Sequence, residues 1–149
     1  MIKKILVAYD NGYKAQKALE MGIEIAKNSG AEIFIYNSVK MPDIFYKLTA
    51  QSMIEKLQGQ TYDYFKPIME EAAAKAIAAG ITTQTVMEDE VAGTGIVRFA
   101  EKENIDLIII GSHNRKAVES FFLGLGSVSN HVIHHAKCPV MIIKETEAS

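Results

Sequence analysis

The run Ile105-Asp106-Leu107-Ile108-Ile109-Ile110-Gly111 constrains this chain more than any other stretch. After Asp106 it is short, β-branched and apolar at every position, and it stops at a glycine. Such a run reads as a strand buried on both faces, not as the alternating strand of a half-solvated sheet. A sheet covered on both faces needs helical crossovers, so the rest of the chain must supply more such strands with amphipathic helices between them.

It does so in order. Ile5-Leu6-Val7-Ala8-Tyr9 is a second buried-strand candidate, closed by Asp10-Asn11-Gly12. Ala15, Ala18, Leu19, Gly22, Ile23 and Ala26 then recur at three and four, which is one face of a helix ending near Asn28-Ser29-Gly30. Strand-like runs follow at 32–39, at 81–87 with partial alternation, and at 139–143. Helical stretches are expected at about 50–79, 94–103 and 127–136, with Ile96, Val97 and Ala100 inward in one and Val128, Val132 and Ala136 in another. Pro67 either kinks the long helix or starts a new one. The expectation is five strands alternating with four helices in a parallel sheet, with strands 1 and 4 central because they are the most uniformly apolar.

Composition agrees with one domain. The chain has 149 residues, 48% hydrophobic, enough for a core of its own. A single cysteine excludes an internal disulfide framework. Sixteen Lys and Arg against eighteen Asp and Glu argue against nucleic acid or an anionic membrane as the main partner. No apolar run approaches spanning length, and Met1-Ile2-Lys3-Lys4 leads straight into a strand without a signal-peptide pattern. A cytoplasmic protein is expected, with a domain over 1–145 and a polar tail over 146–149.

In open doubly wound sheets, ligands sit beyond the carboxyl ends of the strands, where the strand order reverses. Strands 1 and 4 end in Asp10-Asn11-Gly12 and Gly111-Ser112-His113-Asn114, and strand 2 ends in Asn37-Ser38. These loops read either as a small-molecule crevice or as ordinary turns built from turn-forming residues. Gly124-Leu125-Gly126-Ser127-Val128-Ser129-Asn130 precedes a helix with small residues. It reads either as an anion cradle, with Ser127 and Ser129 adding hydroxyls, or as plain capping by Ser127.

Together these runs, with His135-Ala136-Lys137-Cys138-Pro139-Val140 near the end, make the chain resemble the universal stress protein family over nearly its whole length. The resemblance implies an adenine nucleotide α-hydrolase-like α/β fold, a parallel five-stranded sheet of order 3-2-1-4-5 with helices on both faces. It also implies an ATP site, or one for ADP or AMP, with Mg²⁺. Asp10 and the Ala8-Tyr9 backbone would lie beside adenine and ribose, and the Ser38 backbone would face the adenine edge. Gly111 and Asn114 would line the phosphates; Gly126, Ser127, Val128 and Ser129 would hold phosphates and ribose. The family's nucleotide-binding pattern has glycine where Asn114 stands, and its later Gly-Ser pair comes two residues sooner than Gly126-Ser127. Asn114 can keep the backbone shape, since Asn tolerates positive φ, but it adds a side chain. The family also pairs its last strand across a two-fold axis, which implies a homodimer through Val140-Ile143.

Other chemistries lack their residues. No Gly-Lys-Ser/Thr opens a helix, no Gly-x-Ser-x-Gly elbow is present, and no Gly-x-Gly-x-x-Gly follows strand 1. Asp10 has no acidic neighbour for a phosphoacceptor site. His131, His134, His135 and Cys138 read as helix-end and packing residues, so no structural metal is expected. Met41, Phe45, Tyr46, Leu48, Met53, Tyr62, Tyr64, Phe65 and Met69 read as helix-to-sheet packing in preference to a lid or partner surface. The expected function is a stress-response protein binding an adenine nucleotide between strands 1 and 4, a dimeric sensor or switch with no dedicated catalysis. The alternatives are a nucleotide-free dimer working through a protein partner the sequence does not identify, and a slow ATPase.

Overall fold

Strands that are apolar on both faces need helices on both sides of the sheet. The computed structural model describes residues 1–41, 43–112 and 128–144. Its elements run β1 (Lys4–Ala8), α1 (Tyr13–Ser29), β2 (Glu32–Ser38), α2 (Asp43–Leu48), α3 (Gln51–Ala78), β3 (Thr83–Glu88), α4 (Ala92–Lys102), β4 (Leu107–Gly111), α5 (Val128–His135) and β5 (Val140–Ile143). The five strands are parallel and ordered β3-β2-β1-β4-β5. Central β1 pairs Ile5 with Ile33 on one side and with Leu107 on the other.

Successive strand residues point to opposite faces. Ile5, Val7, Ile33, Ile35, Leu107 and Ile109 therefore share one face and pack with α1 and the second half of α3. Leu6, Phe34, Tyr36, Ile108 and Ile110 share the other and pack with α4 and Val132 of α5. That is why these runs are apolar throughout: both parities are core. Phe99 of α4 sits edge-on to Phe34, with ring centroids 5.5 Å apart.

Three expectations change. Residues 43–48, irregular by sequence, form the short helix α2, so the described residues hold one helix more than the expected four. The third strand begins at Thr83, because Ile81 lies in the turn after α3, where its amide donates to Ala76 O at 3.1 Å. The aromatic and methionine stretch is largely not core: Met41 and Met69 are buried, whereas Leu48, Met53, Tyr62 and Tyr64 are exposed. Geometry explains this. The 28 residues of α3 span about 42 Å, and the seven residues of β2 about 23 Å, so the helix overshoots the sheet it covers. Pro67 stands inside α3 without ending it.

Candidate functional site

The strand order reverses at β1, with β2 on one side and β4 on the other, and their carboxyl ends open a crevice. The β1 exit is tightly built. Tyr9 N donates to Tyr36 O at 2.8 Å and Gly12 N donates to Asp10 Oδ1 at 2.8 Å. Between them Asn11 takes φ 68°, a left-handed conformation that Asn tolerates. The Tyr9 hydroxyl donates to Asn11 Oδ1 at 3.1 Å, and Gln16 Nε2 donates to Asn11 O at 3.1 Å. Helix α1 starts at once, with no acidic residue in its first turn.

That first turn lies across the end of β4. A Cβ on Gly111 would stand 2.6 Å from Lys14 Cβ, so glycine is needed there for the helix to cross. The Lys14 ammonium donates to the Ser112 carbonyl. Ser112 N in turn donates to Ile143 O at 2.9 Å, extending the β4–β5 pairing.

On the far side, the Ser38 hydroxyl donates to the Glu90 carbonyl, and Val39 N donates to Glu88 O at 2.9 Å. These bonds fasten the end of β2 to the exit of β3. The Tyr36 hydroxyl donates to Glu88 Oε1 at 2.6 Å. Burial, then this bond and the Glu88 charge, push its phenol well above the usual tyrosine value. Gly95 completes the arrangement, since a Cβ there would stand 2.1 Å from Tyr36 Oη. Arg98 holds the neighbouring Glu90 carboxylate at 2.8 Å. Asn37 is 7% exposed, and its Nδ2 has no hydrogen-bond partner among the described residues.

These strand ends enclose a cavity of about 770 Å³. One wall is apolar, with Ala8, Ile110, Ile96, Val91 and Ala92; Asp10, Lys14, Lys40 and Asp43 supply charge. Of the residues singled out by sequence, Ala8, Tyr9, Asp10, Ser38, Gly111 and Val128 line this one cavity. Ser129, in the first turn of α5, is 6% exposed and does not line it. Asn114, Gly126 and Ser127 lie outside the described residues. Sequence reasoning missed Tyr36, Lys14 and Asp43. The start of α4 was also missed, although Glu90-Val91-Ala92-Gly93 follows a strand end and the same rule applied to it. Asp43 gives the lining a second carboxylate besides Asp10, with Lys40 Nζ 3.9 Å from its Oδ1. Among the described residues no three His, Cys, Asp or Glu side chains group to hold a metal.

Fold and crevice together define a doubly wound α/β protein with a small-molecule-sized cavity at the reversal of strand order. The chain belongs to the universal stress protein family, whose model matches residues 1–144. It is 30% identical to Universal stress protein MJ0531 of Methanocaldococcus jannaschii over 97% of this chain and 84% of that protein. Against Universal stress protein YxiE of Bacillus subtilis the identity is 26%, over 97% of this chain and all of that one. Among solved structures, hypothetical protein MJ0577 superposes with a TM-score of 0.80 at 25% identity, over 99% of both chains. A universal stress protein in complex with cAMP superposes with 0.73 at 20%, over 96% and 97%. An Arabidopsis thaliana family protein with AMP bound superposes with 0.69 at 18%, over 98% and 94%. The fold is the adenine nucleotide α-hydrolase-like one, and no helix among the described residues is long and apolar enough to cross a membrane.

Proposed function

We propose that this protein binds ATP or a related adenine nucleotide in the crevice between β1 and β4 and works as a dimeric sensor or switch. The observation that carries the reading is that β2 runs on to Ser38 while its pairing with β1 ends at Ala8 and Tyr36. The Tyr36 carbonyl on the β1 side is taken by Tyr9 N. Two residues on, the Ser38 amide and carbonyl face the same way, and β1 has already turned off at Asp10. One donor and one acceptor at strand spacing match the N1 and N6 edge of adenine.

The cavity supports the rest of the molecule. Its apolar wall of Ala8, Ile96, Ile110 and Val91 suits a flat base, and 770 Å³ is ample for a nucleotide. Asp10 spends Oδ1 on the Gly12 turn and offers its second oxygen to a ribose hydroxyl. Gly111, Asn114 and the stretch from Gly126 to Ser129 are the proposed phosphate side, with Mg²⁺ arriving on the polyphosphate. Relatives of the same fold are described with cAMP and with AMP bound, which favours an adenine ligand.

Ligand release tests this. Freshly purified protein is denatured and its small molecules analysed by mass spectrometry, beside an Ala8→Leu variant that fills the apolar wall. An adenine nucleotide from the wild type and none from Ala8→Leu is the expected result. Equal amounts from both would place the ligand elsewhere.

A further inference from the structure

We infer that Tyr13 closes the base site from the α1 side, stacking its ring on the base across from Val91, so that the crevice selects a two-ring purine over a pyrimidine; the inference rests on the nucleotide reading above. Large apolar and aromatic side chains stand exposed at several places among the described residues, Leu48, Tyr64 and Ile77 for example. Two of these exposed side chains line the cavity: Tyr13, 58% exposed, and Val91, 55% exposed. The other rings that the described lining holds are buried and engaged. The Tyr9 hydroxyl donates to Asn11 and the Tyr36 hydroxyl to Glu88.

Their placement follows from the fold. Tyr13 opens α1, whose Ala15, Ala18 and Leu19 pack on the sheet face of Ile5 and Val7. Val91 stands at the start of α4, whose Ile96 and Phe99 pack on the opposite face, that of Leu6 and Phe34. The two side chains therefore come from opposite sides of the sheet and border one cavity at its carboxyl edge. A flat ring set on that edge meets an aromatic ring from one side and a branched aliphatic side chain from the other. Aromatic rings gain by offset stacking as well as by area, and every base has a π-face to offer. Lys17 Nζ, one turn along α1, lies 5.6 Å from the centre of the Tyr13 ring. It takes one face of that ring and leaves the other to the base. A ligand that covers both side chains removes their apolar surface from water. A purine covers more of a tyrosine ring than a pyrimidine does, so the stacking favours the larger base.

The test is calorimetric titration of the full, ligand-stripped chain with ATP and with CTP, for wild type, Tyr13→Ala, Tyr13→Phe and Tyr13→Trp, with thermal unfolding to check that each is folded. The chain has no tryptophan, so Tyr13→Trp adds a single fluorescent reporter at the stacking position. The expected result is an ATP affinity lowered about tenfold or more in Tyr13→Ala and a narrowed ratio of ATP to CTP affinity. Tyr13→Phe should bind as the wild type does, and ATP should quench the tryptophan of Tyr13→Trp saturably. Wild-type ATP affinity in Tyr13→Ala, or an unchanged ratio, would overturn the role of Tyr13 and leave the nucleotide reading standing. So would a loss in Tyr13→Phe as large as in Tyr13→Ala, which marks the hydroxyl and not the ring, or a tryptophan that does not respond to ATP. No binding of ATP by the wild type would overturn reading and inference together.

Discussion

Tyr36 shows how one residue joins core to crevice. Its ring is 1% exposed and packs near Phe99, with centroids 5.8 Å apart, while its hydroxyl reaches Glu88 at the end of β3. A hydrogen bond to a charged group contributes roughly 1.5–3 kcal/mol. Tyr36→Phe is therefore expected to lower the unfolding free energy at neutral pH by about that much, read from urea titration. The pH dependence has a definite sign. The folded phenol holds its proton above the ordinary value of 10.0, whereas the unfolded one ionises there. The unfolded state then binds fewer protons, so stability falls as pH rises through 10.0. Wild type should lose stability above that pH more steeply than Tyr36→Phe; parallel curves would contradict the assignment. Gly95 belongs to the same account, since any side chain at 95 collides with this hydroxyl.

At the scale of elements, α3 is two helices in energetic terms. Its second half buries Met69, Ala72, Ala73 and Ala76 against the sheet, whereas Ile54 is the buried residue of its first half. Hydrogen bonds without packing open easily. Amide exchange should therefore be fast from Gln51 to about Phe65 and slow from Met69 to Ala78; uniform protection along α3 would refute this division. The same contrast shows what the sequence could reveal. The Ala-rich tail of α3 and the isoleucines of β4 carry their environment in their own spacing. The exposed aromatics of 45–65 do not, because their burial depends on how far the helix outruns the sheet. At the β1 and β4 starts, Asp106 Oδ2 accepts from Lys3 N at 2.8 Å and Lys4 N at 3.0 Å. Those bonds hold its carboxyl below the usual aspartate value, and no local pattern announces a partner so far off in sequence.

Across the whole molecule, the legible part of the site is the part made of strand ends. Asp10, Ser38 and Gly111 could be placed because turn-forming and small residues close buried strands, and a doubly wound sheet brings those ends together. Lys14 could not, because its partner Ser112 lies 98 residues away and depends on which turn of α1 crosses β4. The outer strand β5 raises the question of assembly. Among the described residues it pairs only with β4 and is half-buried along its length, and an outer edge of Val140-Met141-Ile142-Ile143 without a partner strand among them invites a second copy. A dimer is expected in sedimentation velocity at micromolar concentration, reduced to monomer by Ile142→Pro; a wild-type monomer would dispose of that proposal.

The most direct test of the nucleotide site is amide NMR of the isotope-labelled, ligand-stripped protein titrated with ATP and Mg²⁺. The account predicts saturable shifts concentrated at Ala8 to Lys14, Asn37 to Met41, Val91 to Ile96 and Ile110 to Ser112. No shifts up to millimolar ATP, or shifts centred on β3 and the outer half of α3, would contradict it.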